Sequence, residues 1–369
     1  MRFIESLRLT DFRSYDRLDL TLTSSPVVLF GKNGAGKTNL LEAISFLSPG
    51  RGLRRARLED IARQSGDLTA SAWGINARID NKKLSVGQVP EYPRRRLLRI
   101  DDSNATGAEL ARCMTLMWIT PAQDGLFTGG ATDRRKFIDR FSLSHTPTHG
   151  AHMLRYEKAR SERNRLLSDN VQDDRWFAAL EADMAKYGTL ISEARVKTVL
   201  ALMEEVSARP ESVFPKSRIA LEGDIEDMWQ SGLELETIQD SVRQRLSDNR
   251  GLDYRAGRSL WGVHKSDLKV SHKPKDMPAE HCSTGEQKAL LIGLIMAHAR
   301  AQKMHDPILL LDEVAAHLDE TRRAALMEEL LDLGTQVFMT GTDASLFEAF
   351  NGRAQMFEVK DSQLNQREL

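Results

Sequence analysis

The chain has 369 residues, a formal net charge of −1, and 41% hydrophobic and 28% charged residues. A chain of this length is too long for a single domain with one hydrophobic core, so two domains are expected. The composition excludes an intrinsically disordered chain. No apolar run approaches the roughly 18 residues of a transmembrane helix, so no membrane partner is expected. A charged first apolar stretch argues against a signal peptide, and only two cysteines exclude a disulfide framework. These features predict a folded cytoplasmic protein.

Basic residues are clustered although the overall charge is near zero. The clusters lie at residues 51–57, 94–99, 134–136, 155–165 and 265–275. A single cluster is often only a solvated helix or loop face. Several basic patches in a near-neutral chain nevertheless imply acidic patches elsewhere, as expected if one face meets a polyanion.

The N-terminal third is predicted to mix strands and helices. Alternating and short apolar runs indicate strands in the first thirty residues. The last of these runs, residues 27–30, leads into a glycine-rich loop and an amphipathic helix. Residues 69–79 and 96–100 are predicted to be further strands.

The middle of the chain is predicted to be helical. Apolar residues recur there at helical spacing until Pro210, namely Trp176, Leu180, Met184, Tyr187, Ile191, Val199, Leu202, Met203 and Val206. We interpret this stripe as core rather than as a cofactor site. Residues 140–251 are therefore predicted to form a mainly helical lobe II, inserted into an α/β lobe I made of residues 1–139 and 252–369.

The C-terminal third returns to alternating elements. We expect a helix from Thr284, a strand at 308–311, a helix at 320–333 and a strand at 336–339. Residues 265–278 are interpreted as a polar, lysine-containing loop.

The most specific motif fits the phosphate-binding pattern G-x-x-x-x-G-K-[ST] in full. It comprises Gly31, Lys32, Asn33, Gly34, Ala35, Gly36, Lys37 and Thr38. Glycines let backbone N–H groups approach phosphate oxygens, and the following helix adds its positive N-terminus. Lys37 is expected to reach the β- and γ-phosphates, and the Thr38 hydroxyl to bind Mg²⁺. ATP and Mg²⁺ are the predicted ligands.

A second motif supplies carboxylates. The apolar run at 307–311 ends in Asp312 and Glu313. An aspartate at this point suits Mg²⁺ in phosphate-loop proteins, and Glu313 is placed to orient or deprotonate the attacking water. Together with the phosphate loop, the pair predicts ATP hydrolysis, with Lys37, Asp312 and Glu313 as catalytic residues.

Ser283 has two compatible interpretations. With Glu286 three residues later it forms a capping box for the helix from Thr284. It also begins a Ser-Thr-Gly-Glu segment some twenty residues before the Asp-Glu strand. This order of motifs resembles the ATP-binding-cassette superfamily, which includes SMC-type chromosome proteins. The resemblance implies a P-loop ABC-type ATPase head in which Ser283 and Gly285 bind the γ-phosphate held by a second copy, giving an ATP-dependent homodimer.

About 244 residues separate Thr38 from Ser283, and they contain no extended heptad pattern. No long coiled coil is therefore expected, which narrows the resemblance to members of the superfamily that lack one. Segments in family order over nearly the whole chain are similar to those of the RecF family of bacterial recombination mediators. They are 9–15 (Leu-x-x-Phe-Arg-x-Tyr), 34–44 (extended phosphate loop), 49–54 (Gly-Arg-Ser-x-Arg), 133–139 (Arg-Arg-x-Phe-Leu-Asp) and 262–268 (Gly-Pro-His-Arg-x-Asp).

The resemblance implies binding of ATP and of double-stranded DNA, including gap junctions. RecF-like proteins help to place the strand-exchange recombinase on gaps, with RecO and RecR, in replication-gap repair and on a route to the SOS response. We therefore expect an ATP-gated DNA clamp in which hydrolysis need not be fast. The best candidates for DNA contacts are Arg51, Arg54, Arg134 and Arg135.

The chain departs from the family pattern at Val263 and Lys265, where Pro and Arg are usual. No switch histidine follows the last strand, which leaves Thr340 and Thr342 as candidate γ-phosphate sensors. Gln123 stands where a glutamine loop would contact Mg²⁺ or water, although a plain turn is equally compatible.

Alternative functions make different demands. An SMC-like chromosome-maintenance ATPase would need a long coiled coil, and a transporter subunit would need a membrane partner. A small-molecule kinase would have no use for the segment 283–287 and would not dimerise.

Overall fold

The computed structural model describes residues 1–66 and 68–367, which belong to two compact units. Unit 1 consists of Met1–Asp124, Pro210–Pro215 and Leu291–Leu369, and unit 2 of Gly125–Arg209 and Lys216–Leu290. This division differs from the predicted lobe boundaries, because residues 125–139 and 252–290 belong to unit 2 and residues 210–215 belong to unit 1.

The strands and helices are as follows. The strands are β1 (Ile4–Phe12), β2 (Tyr15–Thr21), β3 (Val27–Phe30), β4 (Gln64–Ser65), β5 (Leu68–Thr69), β6 (Trp73–Ile79), β7 (Lys82–Gln88), β8 (Leu97–Ile100), β9 (Ser103–Asn104), β10 (Leu116–Ile119), β11 (Ser217–Glu222), β12 (Asp267–His272), β13 (Met277–Pro278), β14 (Ile308–Leu311), β15 (Val337–Gly341), β16 (Gln355–Lys360) and β17 (Gln363–Arg367). The helices are α1 (Lys37–Ser45), α2 (Gly107–Cys113), α3 (Ala131–His145), α4 (His149–Ser168), α5 (Asp174–Ala208), α6 (Asp224–Gln230), α7 (Leu235–Asp248), α8 (Arg250–Ala256), α9 (Thr284–Ala301) and α10 (Glu320–Leu333).

Unit 1 contains two large sheets. An antiparallel sheet has the order β2-β1-β6-β7-β8-β9, and a second sheet has the order β10-β14-β15-β3-β16-β17. All neighbours in the second sheet are parallel except the β16–β17 pair. The carboxyl ends of its parallel strands therefore share one edge, where α/β proteins build their ligand sites.

The two sheets and α1 share one apolar core. Strand β1 alternates buried and exposed residues, as a strand with one covered face should. Its Phe12 meets Phe46, which follows α1, and Trp73 of β6 in edge-on contacts with ring centroids 6.1 and 5.7 Å apart. This aromatic cluster fixes the start of the chain against the helix that follows the phosphate loop.

Unit 2 is mainly helical, with a small sheet of order β11-β12-β13. Its longest helix, α5, has 35 residues and carries the predicted apolar stripe. Six stripe members are buried as predicted: Leu180, Met184, Ile191, Val199, Leu202 and Val206. The prediction was wrong at Trp176 and Met203, which are 43% and 39% exposed. Phe177 is buried in place of Trp176, and of the two adjacent stripe members Leu202 and Met203 only Leu202 is buried.

The interpretation of residues 265–278 as a loop was also wrong. Residues 267–272 form β12, which pairs with β11 along its whole length. Leu268, Val270 and His272 point inward, while Lys269 lies on the exposed face. The alternation of buried and exposed residues that indicates a strand is short here and only half apolar, and the neighbouring lysines favoured the interpretation as a loop.

No helix among the described residues is long and apolar enough to cross a bilayer.

Arg163 of α4 is fully buried in unit 2 and joins three elements. Its guanidinium donates to Asp253 Oδ2 at 2.7 Å, to Glu181 Oε1 at 3.2 Å and to the Leu246 carbonyl at 2.9 Å. Glu181 has a second cation in Arg250, at 2.6 Å. Asp253 is 1% exposed and has Arg163 as its only ion-pair partner among the described residues.

We expect Arg163→Met to destabilise unit 2 by about 3–5 kcal/mol, because removing one partner of a buried ion pair leaves an uncompensated charge. Urea unfolding followed by circular dichroism measures the change. Arg165→Met is the matched control, since Arg165 lies two residues later on the same helix and is exposed. Equal midpoints for the two variants would contradict the prediction.

Candidate nucleotide site

The loop between β3 and α1 has a backbone that requires glycine. Gly31, Gly34 and Gly36 have φ of +145°, +81° and +113°, which side-chain-bearing residues rarely adopt. A Cβ on Gly31 would also collide with the Val359 carbonyl oxygen. Gly36 caps α1 without a side-chain hydrogen bond, and no acidic residue lies in the first turn. The first N–H groups of α1 are therefore presented to an anion at the loop.

Lys37 is the buried cation of this loop. The side chain is 4% exposed, and its ammonium donates to the carbonyl oxygens of Gly31 at 2.6 Å and Lys32 at 2.9 Å. Burial lowers the pKa of Lys37, whereas attraction to Glu313 and Asp312 opposes that shift. The ammonium lies over the loop that would receive the phosphates.

Asp312 connects the phosphate loop to the parallel sheet. Its Oδ1 accepts hydrogen bonds from the hydroxyls of Thr38 at 2.9 Å and Thr340 at 2.8 Å. Burial raises the pKa of the carboxyl, and the two hydroxyl hydrogen bonds act in the opposite direction. A carboxylate and a hydroxyl brought together at a phosphate loop are the oxygen ligands that Mg²⁺ prefers, so the residues fit the predicted metal.

Glu313 is held in position by its backbone. It has a left-handed φ of +54°, and its N–H donates to Thr340 Oγ1 at 2.9 Å. Thr340 is fully buried, and through this hydrogen bond and its own to Asp312 its hydroxyl contacts both Asp312 and Glu313. Thr342, in contrast, is exposed. Thr340 and Thr342 were both predicted as candidate γ-phosphate sensors, and Thr340 also orients Asp312 and Glu313. The sensor role stays a prediction.

Gln123 lies at the same edge of the parallel sheet. It ends a short 3₁₀ turn, Pro121–Gln123, directly after β10, the neighbour of β14. Its side-chain Oε1 accepts from the Thr120 N–H at 3.0 Å, so the carbonyl is used to close the turn. The proximity suits a glutamine loop, but contact with Mg²⁺ or water stays a prediction.

Two residues from the start of the chain support the loop. The Tyr15 hydroxyl donates to the Gly36 carbonyl at 3.1 Å. Arg13 donates to both carboxylate oxygens of Glu42, at 2.9 and 2.8 Å, and Glu42 is fully buried on α1. These residues lie in segments that resemble the RecF family, but nothing in the sequence pattern predicted that they support the phosphate loop.

The capping box at Ser283 is confirmed. The Ser283 N–H donates to Glu286 Oε2 at 3.0 Å, and Glu286 N–H donates to Ser283 Oγ at 3.4 Å. Hydrogen bonds from Lys275 and then from Ser283 lower the pKa of Glu286 to about 2. Ser283 is exposed and Gly285 is half-buried, both in unit 2. Their contact with a second copy stays a prediction.

The basic candidates of unit 1 differ in how they are engaged. Arg54 donates to Asn39 at 2.8 Å and to Glu42 at 3.2 Å, so it supports the helix of the phosphate loop. Arg51 is exposed and lines a cavity of about 370 Å³. The other charged residues around this cavity are Arg57, Glu59, Arg94 and Arg96.

The basic candidates of unit 2 also differ. Arg134 makes two 2.8 Å hydrogen bonds to Asp267, with side chains 11% and 13% exposed. This geometry does not favour Arg134 as a DNA contact, which stays a prediction. Arg135 donates to the Ser266 carbonyl at 2.7 Å and lines a separate cavity.

Sequence comparison covers the chain almost completely. Residues 3–365 match the RecF/RecN/SMC N terminal domain family. The "DNA replication and repair protein RecF" of Mesorhizobium japonicum is 48% identical over 366 residues, covering 96% of each chain. The protein of the same name from Brucella suis biovar 1 is 48% identical and covers 98% of this chain and 95% of its own.

Structural comparison gives the same fold. The recombination mediator protein RecF-ATPrS of the RecFOR pathway matches with a TM-score of 0.85 and 21% identity, covering 99% of this chain and 98% of its own. An Smc head domain from Pyrococcus furiosus matches with a TM-score of 0.56 and 17% identity, covering 100% of this chain and 96% of its own. The fold is therefore that of an ABC-type ATPase head, and the chain belongs to the RecF family of DNA replication and repair proteins.

Proposed function

We propose that this protein is an ATP-hydrolysing, DNA-binding recombination mediator that dimerises on ATP and assists loading of the strand-exchange recombinase at replication gaps. The observation that carries the proposal is the hydrogen bond between Thr38 and Asp312, with Glu313 next in sequence. It unites phosphate loop, metal-ligand oxygens and a candidate base at one sheet edge. RecF-family membership removes the transporter and small-molecule kinase alternatives.

The residues divide the chemistry between them. The loop N–H groups and Lys37 bind and orient the triphosphate, and Lys37 exchanges its loop carbonyls for phosphate oxygens. Glu313 orients the attacking water and accepts its proton. Thr38 and Asp312 would hold Mg²⁺, which neutralises charge on the phosphates. Slow ATP hydrolysis is sufficient, since its proposed effect is to change the association of the two copies rather than to supply a product.

The dimer completes the site. Ser283 and Gly285 of one copy meet the γ-phosphate held by the other, and the capped start of α9 adds its positive end. ATP then bridges two copies, and loss of the γ-phosphate opens the pair. Gln123 of the first copy would contact the attacking water or Mg²⁺.

DNA binding is proposed to rest on phosphate contacts, hence to depend on salt rather than sequence. Arg51 and the arginines around its cavity offer four cations against one carboxylate. Double-stranded or gapped DNA is the proposed ligand. RecO and RecR are the proposed protein partners, in keeping with the RecFOR pathway named for the structural relative, and the cytoplasm is the proposed location.

We expect Lys37→Ala to abolish ATP binding, because the loop loses its buried cation. Isothermal titration calorimetry with ATP and Mg²⁺ measures the affinity. Lys82→Ala removes a charge from the exposed start of β7 and should bind ATP normally. Micromolar affinity retained by Lys37→Ala would refute the assignment of the site.

Glu313→Gln should bind ATP but turn over at least ~100-fold more slowly, the usual scale of a general base. The variant should then accumulate as an ATP-bound dimer on a sizing column with Mg²⁺ and gapped DNA. Glu348→Gln is the control, since Glu348 is exposed after β15. A Glu313→Gln protein that stays monomeric with bound ATP counts against the clamp.

Ser283→Arg should leave ATP affinity unchanged and block ATP-dependent dimerisation, because a bulky side chain replaces the hydroxyl at the shared phosphate. Thr106→Arg is the matched control, as Thr106 and Glu109 form the equivalent capping box of α2. Loss of a cap costs both variants about 1 kcal/mol. If both variants dimerise equally well by light scattering, Ser283 serves only as a cap.

A further inference from the structure

Two motifs separated by more than a hundred residues meet in unit 2. Arg134 pairs with Asp267, and Arg135 donates to the Ser266 carbonyl at 2.7 Å. The Asp139 carboxylate receives Arg195 of α5 at 2.7 and 3.0 Å. Arg195 in turn donates to the Val263 carbonyl at 2.9 Å. The segments 133–139 and 263–267 are thereby fixed around a buried arginine.

Beside this junction lies a cavity of about 380 Å³ with an excess of cations. The charged side chains that line it are Arg135, Lys136, Asp139, Glu157, Arg160, Arg195 and Lys265. Asp139 is already neutralised by Arg195, whose side chain is 5% exposed. Glu157 pairs with Arg160 on the same helix at 2.6 Å. Lys136 is paired with Asp133 at 2.7 Å, so Arg135 and Lys265 are the cations of the wall that have no ion pair among the described residues.

The charges act on one another as expected for a cationic cavity. The pKa of Arg135 is lowered by burial and next by repulsion from Arg195. The pKa of His264 is lowered to about 4 by burial, with further contributions from Arg160, Lys265 and Arg135. His264 is thus neutral at pH 7. Its Nε2 donates to the Ser259 carbonyl, and its Nδ1 accepts from the Tyr156 hydroxyl at 2.7 Å.

Donors remain available on this wall. Arg135 uses one N–H toward Ser266 and one toward Thr132, and its other donors have no hydrogen bond to the described residues. Lys265 is exposed and has no ion pair with any residue that the structure describes. A rigid guanidinium with an ammonium nearby is the pairing that favours phosphate.

We infer that this cavity binds a phosphate group. Its source is either a backbone phosphodiester of DNA or a free phosphate, which share the same recognition chemistry. The DNA source rests on the proposed function, whereas the free-phosphate source does not. The site goes beyond the nucleotide loop, because all its residues belong to unit 2.

The test uses full-length protein with its nucleotide loop saturated by ADP and Mg²⁺. The cavity variant is Arg135→Gln with Lys265→Gln, which removes the two cations whose donors remain available. The control is Lys158→Gln with Lys273→Gln, which removes the same charge from exposed positions of unit 2 outside the cavity. Each protein is titrated with duplex DNA by fluorescence anisotropy over a range of salt concentrations, and with inorganic phosphate by calorimetry.

If the ligand is DNA, the cavity variant alone should bind roughly tenfold more weakly, and its log K against log salt should be less steep by about 1.8, the value for two phosphate contacts. If the ligand is free phosphate, saturable heat should disappear in the cavity variant alone, with DNA binding unchanged. Cavity and control variants that match in both titrations overturn the inference. Failure of the wild-type protein to bind DNA at all would instead count against the proposed function.

Discussion

The nucleotide site depends on the hydrogen bonds that Asp312 Oδ1 accepts from Thr38 and Thr340. The donors are the Thr38 hydroxyl of α1 and the Thr340 hydroxyl of β15, so α1 is fixed against β15 and the end of β14. Because Asp312 is buried, its charge is tolerated only while these donors and a cation remain close. Thr340 transmits the same constraint to the Glu313 backbone. The proposed metal ligand Asp312, the phosphate loop and the candidate base Glu313 are therefore positioned together rather than separately.

Arginines in the family-like motifs serve mainly to fix structure. Arg13 neutralises the buried Glu42 behind the phosphate loop, and Arg134 neutralises Asp267 in unit 2. A buried carboxylate left without its arginine would be costly, so such pairs fix the register between distant segments of chain. Positive charge in a motif is consequently poor evidence for nucleic-acid contact. Arg51 is exposed and Arg135 keeps unused N–H donors, so these two are better candidates for DNA contact than Arg134, which is paired with Asp267.

Local patterns predicted the elements whose signal is contained in one segment. The bounds of β14 and α10 match the sequence expectation, and so does the start of α9, because apolar runs, caps and glycines set them locally. The short strands β11 and β12 were missed, since they are stabilised by pairing between separate segments, β11 with β12 and β12 with β13. In the site, the phosphate loop and Asp312 were predicted from spacing. The roles of Arg13 and Glu42 were not, because they depend on contacts between residues far apart in sequence.

Two neighbouring residues of α3 have different roles because they project in different directions from the helix. Arg134 and Arg135 are adjacent, so they project about 100° apart around the helix axis. One reaches Asp267 and is nearly enclosed, whereas the other reaches a main-chain carbonyl and keeps donors toward an open cavity. A main-chain carbonyl positions a guanidinium without neutralising it. Arg134 is compensated by the Asp267 carboxylate, whereas no ion pair compensates the charge of Arg135 among the described residues, so a phosphate can pair with Arg135 without displacing a carboxylate. The uncompensated positive charge of Arg135, beside the Arg134–Asp267 and Arg195–Asp139 ion pairs, is the physical reason to propose a ligand in unit 2.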